Sequence, residues 1–264
     1  MFLDTIRTAK VEKGKIALWW LGQMGYVMKT QHATLLVDGF LMPRPDRLVP
    51  PAFDPADADC FDAVLGTHDH DDHIDCYAWE RIAKANPRTL FFGSALHKKS
   101  VCGRTGIPLD RYIGMNEGSL AHVGDISVQA IAAAHEFLDF DAETQCYPHL
   151  SYIIASKIFH AGDTLTYDGQ RAKLKAFAPL SAMILPINGR DAERYNRNCI
   201  GNMTFQEAVD LAGDMQTKLA IPGHYDMFAG NLGNPEDFRE YLAAKYPHVP
   251  CHIPERLVRF DIDL

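Results

Sequence analysis

The stretch Thr67-His68-Asp69-His70-Asp71-Asp72-His73 places three histidines and three aspartates within seven residues. Imidazole and carboxylate are side chains that divalent transition metals favour, and a metal site needs several of them brought together. His68 and His70, separated by one residue, can point the same way from an extended backbone. Asp72 and His73 can then turn toward a second, adjacent ion. The spacing His-x-His-x-Asp-His therefore suggests a two-metal hydrolytic site, in which one ion polarises the substrate and the pair holds a hydroxide. The plain alternative is a solvated polar loop. Three features downstream weigh against it. His135 follows Ile131-Ala132-Ala133-Ala134, Asp163 follows Ile158-Phe159-His160-Ala161-Gly162, and His224 follows Ile221-Pro222-Gly223. Each lies just after a strand-like segment, where chemistry on α/β scaffolds tends to sit. Any one of them alone reads as structural; their joint order is far more specific.

The elements that must position these residues begin with apolar runs. Ile16–Leu21 reads as a strand bounded by Gly22, followed by strands over Gly25–Lys29 and Thr34–Val37 with turn residues between. Five prolines between 43 and 55 make an irregular connection, and residues 62–66 form a strand ending at the histidine cluster. From there strands and helices alternate. The pattern predicts a helix over Ile74–Ala85, a strand over Thr89–Phe92, a short helix over Ala95–Cys102 and a strand over Ile126–Ala133. Ser151–Ala155 and Ile158–His160 read as a hairpin, and Met183–Ile187 as a strand. Thr204-Phe205-Gln206-Glu207 is a capping box opening a helix to Met215. A strand over Leu219–Ile221, a helix over Glu236–Ala244 and a terminal strand over Leu257–Ile262 complete the series. Strands first, then mixed strands and helices, suggest sheets sandwiched by helices. Trp19 and Trp20 read as one core residue and one partly exposed one.

Composition sets the outer bounds. A chain of 264 residues with 47% hydrophobic content suits one large globular domain spanning 1–264. The net charge of −8 argues against general affinity for nucleic acid or anionic membranes. No apolar run reaches membrane-spanning length, and Met1–Arg7 lacks the pattern of a signal peptide. The six cysteines are scattered without a Cys-x-x-Cys pair, which fits reduced thiols in a cytoplasmic protein. A homo-oligomer is compatible with this composition.

With those motifs in place, the sequence resembles the metallo-β-lactamase superfamily, over roughly Ile16 to His224. Within it the closer likeness is to the L-ascorbate-6-phosphate lactonase branch. The segments that carry it are Ala17–Gly22, Asp62–Asp75, His160–Asp163, Met203-Thr204 and Ile221–Asp226. The resemblance implies an α+β fold, an αββα sandwich with two mixed β-sheets face to face, helices outside and a two-metal site at one edge. It also implies the ligand sets: His68, His70 and His135 for the first metal, Asp72, His73 and His224 for the second, and Asp163 bridging them. The chain looks shorter than that lactonase, and the region from His135 through Glu136 to Pro148 departs from its pattern.

The expected activity is that of a metal-dependent hydrolase. Two divalent ions, zinc or manganese first and iron or nickel also compatible, lower the pKa of a bound water toward about 7, so hydroxide exists at neutral pH. Asp72 is the candidate catalytic residue, orienting the hydroxide or passing its proton to the leaving group. The expected substrate is a small anionic molecule, a sugar-acid phosphate lactone first. The polar segment Asn188–Asn198 carries Arg190, Arg194 and Arg197, suited to phosphate or carboxylate recognition, and competes with a solvated loop of ion pairs. Asn188, these arginines and Tyr225 are the candidate substrate contacts. Two other readings stand beside this one: a phosphodiesterase on a small or cyclic phosphodiester, and a non-catalytic metal-binding regulator. Among the other histidines, His149 reads as structural or as support for a ligand, and His160 as core or support. His97 is expected at a helix surface or pocket rim, and His32, His122, His248 and His252 at the surface.

Overall fold

The computed structural model describes all 264 residues. Strands β1 (Lys15–Gly22), β2 (Gly25–Lys29), β3 (Thr34–Val37), β4 (Ala63–Leu65), β5 (Leu90–Ser94) and β6 (Tyr112–Met115) lie side by side in that order. A second sheet is built from β7 (Leu120–Val123), β8 (Ile126–Ala132), β9 (Leu150–Ile154), β10 (Ile158–His160), β11 (Ala182–Pro186) and β12 (Ala220–Gly223), again in sequential order. The last strand, β13 (Arg259–Asp263), returns to the first sheet and pairs antiparallel with β1. Both sheets are mixed. In the first, β3–β6 are mutually parallel. In the second, β10–β12 are parallel while β7–β10 alternate.

Helices cover the outer faces. The helices α1 (Phe2–Thr8), α2 (Cys76–Ala85), α3 (Lys98–Thr105), α4 (Gln170–Lys175), α5 (Ala192–Asn196), α6 (Phe205–Asp214) and α7 (Pro235–Lys245) follow in chain order. The two-residue period of a strand divides β1 between two cores. Ile16, Leu18 and Trp20 point between the sheets, whereas Ala17, Trp19 and Leu21 point to the layer of α1 and α2 with Leu3, Ile6, Trp79 and Ile82. A strand covered on both faces reads as one continuous apolar run, which is what Ile16–Leu21 is. Both tryptophans are therefore buried, and the expectation of one partly exposed tryptophan is corrected. On the other side α6 packs on β11 and α7 on β12. The whole is an αββα sandwich.

The capping box at Thr204 and Glu207 and the hairpin of β9 and β10 form as the sequence predicts. Other elements were not foreseen. Helix α1 buries only Leu3 and Ile6, and α4 only Gln170 and Leu174, too few positions for a periodic signal. Strands β6 and β7 are four residues each and β7 is largely exposed, so alternation is faint. The turn Asn116–Ser119 between them carries the chain from one sheet to the other. The predicted helix over Ala95–Cys102 is a short 3-10 turn followed by α3. His252 is half-buried against Phe260 rather than at the surface, with ring centroids 4.4 Å apart. No helix is long and apolar enough to cross a membrane.

Candidate metal centre

The loop after β4 delivers His68, His70, Asp72 and His73 from the first sheet. The second sheet delivers His135 after β8, Asp163 after β10 and His224 at the end of β12. These seven residues converge at one edge of the sandwich. Their donor atoms form three groups, each with all members within 4.8 Å: His68, His70 and His135; Asp72, His73 and His224; and His68, His73 and Asp163. Asp163 joins the first two groups. Its Oδ2 lies 3.2 Å from His224 Nε2 and 3.9 Å from His135 Nε2, and its Oδ1 lies 3.3 Å from His73 Nε2.

Local structure explains why the side chains hold this arrangement. Asp38, fully buried at the end of β3, accepts from Thr67 N and Thr67 Oγ1 at 2.8 Å each, and its Oδ2 lies 2.8 Å from His73 Nδ1. A carboxylate on Nδ1 fixes the ring and leaves Nε2 for the centre. Gly162 has φ +60, and a Cβ there would meet the Thr67 side chain at 2.7 Å, so only glycine lets Asp163 approach. Three non-glycine residues around the site, Gln23, Asp38 and His224, also have positive φ, at 51, 45 and 57 degrees. Backbone in this region is unfavourable for such residues, and at these three positions it accompanies side chains that face the site.

Charge in the site is divided. Burial would lower the His224 imidazole, but Asp163 and Asp72 outweigh it and lift it to about 10. His73 is also raised: against burial, Asp163, Asp38 and Asp72 favour its proton. Burial pushes His135 down to about 4 and His68 below the ordinary range, so both are neutral imidazoles. Against their own burial, Asp72 is held below the usual carboxylate range chiefly by His73, and Asp163 chiefly by His224.

The donor set fits divalent metal. His73 Nε2 and Asp163 Oδ1 are both buried and neither has a hydrogen-bond partner within the protein. Buried polar atoms without partners are costly, and a cation between them would satisfy both. The group containing three imidazoles and the group of two imidazoles and a carboxylate match the ligand chemistry of zinc and its neighbours.

A cavity of about 240 Å³ opens on His70, Asp72, His135, Asp163 and His224, walled by Asn198, Cys199, Ile200, Phe228 and Asn231. It continues into an outer recess of about 390 Å³ that includes Arg44, Asp71 and Arg197. A larger recess of about 700 Å³ beside α1 carries none of the histidines.

Of the candidate substrate contacts, only Arg197 lines this space. Arg190 forms a two-point pair with Glu207 at 2.6 and 2.7 Å. Arg194 binds Asp191, Asn231 and the Leu232 carbonyl. Asn188 sits between Asn231 and Asn202. Tyr225 is buried with its ring 5.1 Å from that of Trp20. The structure thus does not bring Asn188, Arg190, Arg194 and Tyr225 to the cavity: the polar loop folds on itself through its own ion pairs. Residues the sequence did not single out line it instead, among them Arg44, Phe228 and Asn231. Gln23, whose Nε2 donates to Asp72 at 3.3 Å, and Asp38 support the centre from behind. His149 packs 5.6 Å from His68 and 5.5 Å from His135 without lining the cavity, a supporting position. His160 is core, bonded through Nε2 to the Met24 carbonyl at 2.8 Å. His97 stands 3.9 Å from Asp69 outside the cavity.

Comparison with known proteins agrees with this geometry. The sequence profile of the beta-lactamase superfamily domain matches residues 34–225. The chain belongs to the beta-lactamase superfamily. The probable L-ascorbate-6-phosphate lactonase UlaG of Salmonella heidelberg is 24% identical over 277 residues, covering 89% of this chain and 77% of that protein. Among solved structures, the metallo hydrolase Igni18 of Ignicoccus hospitalis has a TM-score of 0.71 at 18% identity, covering 95% of this chain and 99% of that one. The isothiocyanate hydrolase from Delia radicum gut bacteria has a TM-score of 0.70 at 16% identity, covering 94% and 100%. These structural likenesses show the metallo-β-lactamase fold. The family and the three His/Asp groups indicate a metal-dependent hydrolase.

Proposed function

We propose that this protein hydrolyses a small, anionic, oxygen-rich substrate, a lactone before other classes, at a centre of two divalent ions. His68, His70 and His135 would hold one ion, Asp72, His73 and His224 the other, and Asp163 would join them. The observation that carries the reading is the convergence of these seven residues in three groups sharing members, with five of them, His70, Asp72, His135, Asp163 and His224, lining one cavity. Bound there, zinc or manganese would supply Lewis acidity, making hydroxide available from water at neutral pH and drawing electron density from a substrate carbonyl.

The chain's own residues do the rest. Asp72 lines both the inner cavity and the outer recess, so it can orient a water toward a substrate lying across the two. The imidazoles that hold its carboxyl below the usual range make it an acceptor of hydrogen bonds rather than a store for a proton. Arg197, whose pairing with Glu193 spans 3.5 Å between exposed side chains, is free to meet an anionic group at the mouth. The lactone preference is supported by the lactonase named among the relatives.

The test is a panel of lactones, esters and phosphodiesters assayed with zinc-loaded, manganese-loaded and chelated protein. Lactone turnover is expected only with metal, at about two ions per chain. His70→Ala should reduce it by about a thousandfold or more. Arg197→Ala should raise KM about tenfold for an anionic lactone and leave a neutral one unchanged. Fast phosphodiester cleavage with inert lactones would replace the substrate class. Protein that stays metal-free at saturating ion would overturn the reading.

A further inference from the structure

Asn231 lines both the inner cavity and the outer recess. Its side-chain Oδ1 accepts two hydrogen bonds, from Asn188 Nδ2 at 2.8 Å and from Arg194 Nε at 3.1 Å. Asn188 is itself held by Asn202, whose Nδ2 donates to Asn188 Oδ1 at 3.1 Å. Amide groups can be turned end for end with little change of shape, so a chain of three amides has two directions. Arg194 decides between them. A guanidinium only donates, so the atom it meets on Asn231 must be the oxygen. Asn231 Nδ2 is therefore the end turned to the cavity, and it has no acceptor within the protein.

The rest of the loop keeps Arg194 in that role. Asp191 accepts from Arg194 N at 2.9 Å and pairs with its guanidinium, and Arg194 Nη2 donates to the Leu232 carbonyl at 2.8 Å. The imposed direction has a cost at the far end of the chain, where Asn202 Oδ1 is buried without a partner. A lone unsatisfied oxygen in a buried network is disfavoured unless the other end gains from it.

We infer that Asn231 is a substrate-binding residue, an oriented hydrogen-bond donor for an oxygen of a carboxylate, phosphate or acyl group in the cavity. Asn188 and Arg194 act through it as positioning residues. Its place in catalysis rests on the hydrolase reading above; its direction rests only on the hydrogen bonds. This gives the polar loop a task other than direct contact: its Arg194 aims an amide that the 229–231 turn brings to the site.

The experiment titrates inorganic phosphate into the zinc-loaded protein by calorimetry, with metal content measured for every variant. Asn231→Ala should weaken phosphate binding roughly ten- to hundredfold, since a hydrogen bond to a charged acceptor is lost. Asn231→Asp keeps the size and both accepted hydrogen bonds, so it serves if the alanine variant folds poorly, and it should weaken binding at least as much. Arg194→Leu should weaken binding and Arg194→Lys, which restores a donor-only cation, should recover most of it. Metal content should not change in any of them. Phosphate affinity within twofold of wild type in both Asn231 variants would overturn the inference, as would a loss explained by lost metal. If the wild type hydrolyses nothing in the panel yet these effects are seen, the hydrolase reading falls and the donor stands. If the wild type is active and phosphate affinity is indifferent to Asn231, the donor falls alone.

Discussion

Two imidazoles of the centre favour their protons, which a bound metal would displace. His224 is lifted to about 10 and His73 is raised as well, because carboxylates face them inside the protein. A folded-state pKa above the ordinary value of about 6.5 stabilises the metal-free protein fully below that pH. The contribution is lost as pH rises through about 10. Metal ligation needs the neutral ring, so the coupling has the opposite sign: affinity should rise with pH and binding should release protons. Zinc titrations in buffers of different ionisation enthalpy, between about pH 7 and 8, should show about one to two protons released per chain. Release of none would mean that His73 and His224 are already neutral. At this scale the cluster of histidines and aspartates was legible because these residues in close spacing have few other uses. Asp38 was not, since a single aspartate after a strand is an ordinary turn residue. Asn231 could not be read either: its direction depends on Arg194, whose partners are set by the fold.

Among the elements, the parallel strands β4, β10 and β12 end at the centre, and the residues just past their ends do the positioning. The junction after β10 is the tightest of these. Gly162→Ala would add a Cβ at 2.7 Å from the Thr67 side chain and place alanine at φ +60. Thr67 holds Asp38 and precedes His68, so displacing it disturbs ligands from both sheets at once. The substitution should cost about 2–3 kcal/mol in denaturant unfolding and lower zinc affinity. Gly103→Ala in α3 is the matched control: a Cβ there meets nothing within 4 Å, and helix propensity should make it neutral or stabilising by up to about 1 kcal/mol. Equal destabilisation by both would show that the junction is not special. The same contrast explains what was legible. Long buried strands such as β1 and amphipathic helices such as α2 carry a period, and both were predicted within a few residues. Short or exposed pieces, β6, β7, α4 and α5, are fixed by their neighbours and carry almost none.

On the scale of the whole molecule, the chain closes its first sheet with its last strand, and the centre sits where the two sheets meet. β13 pairs with β1, so the last element completes the sheet begun by the first. Four of the seven clustered residues come from the first sheet and three from the second. The three tryptophans, Trp19, Trp20 and Trp79, all lie on the first sheet or on the helix packed against it, yet Trp20 also packs, tilted, against Tyr225 from beyond β12. If residues 1–264 form one cooperative unit, tryptophan fluorescence, which reports the first layer, and far-ultraviolet circular dichroism, which reports both, should give coincident unfolding curves. The clustered histidines and aspartates lie where the sheets meet, so zinc bound among them at a hundred to a thousand times its Kd should add about 3–4 kcal/mol to that one transition. Two separate transitions, with zinc moving only one of them, would instead mean that the layers fold independently and that the centre is assembled by their docking.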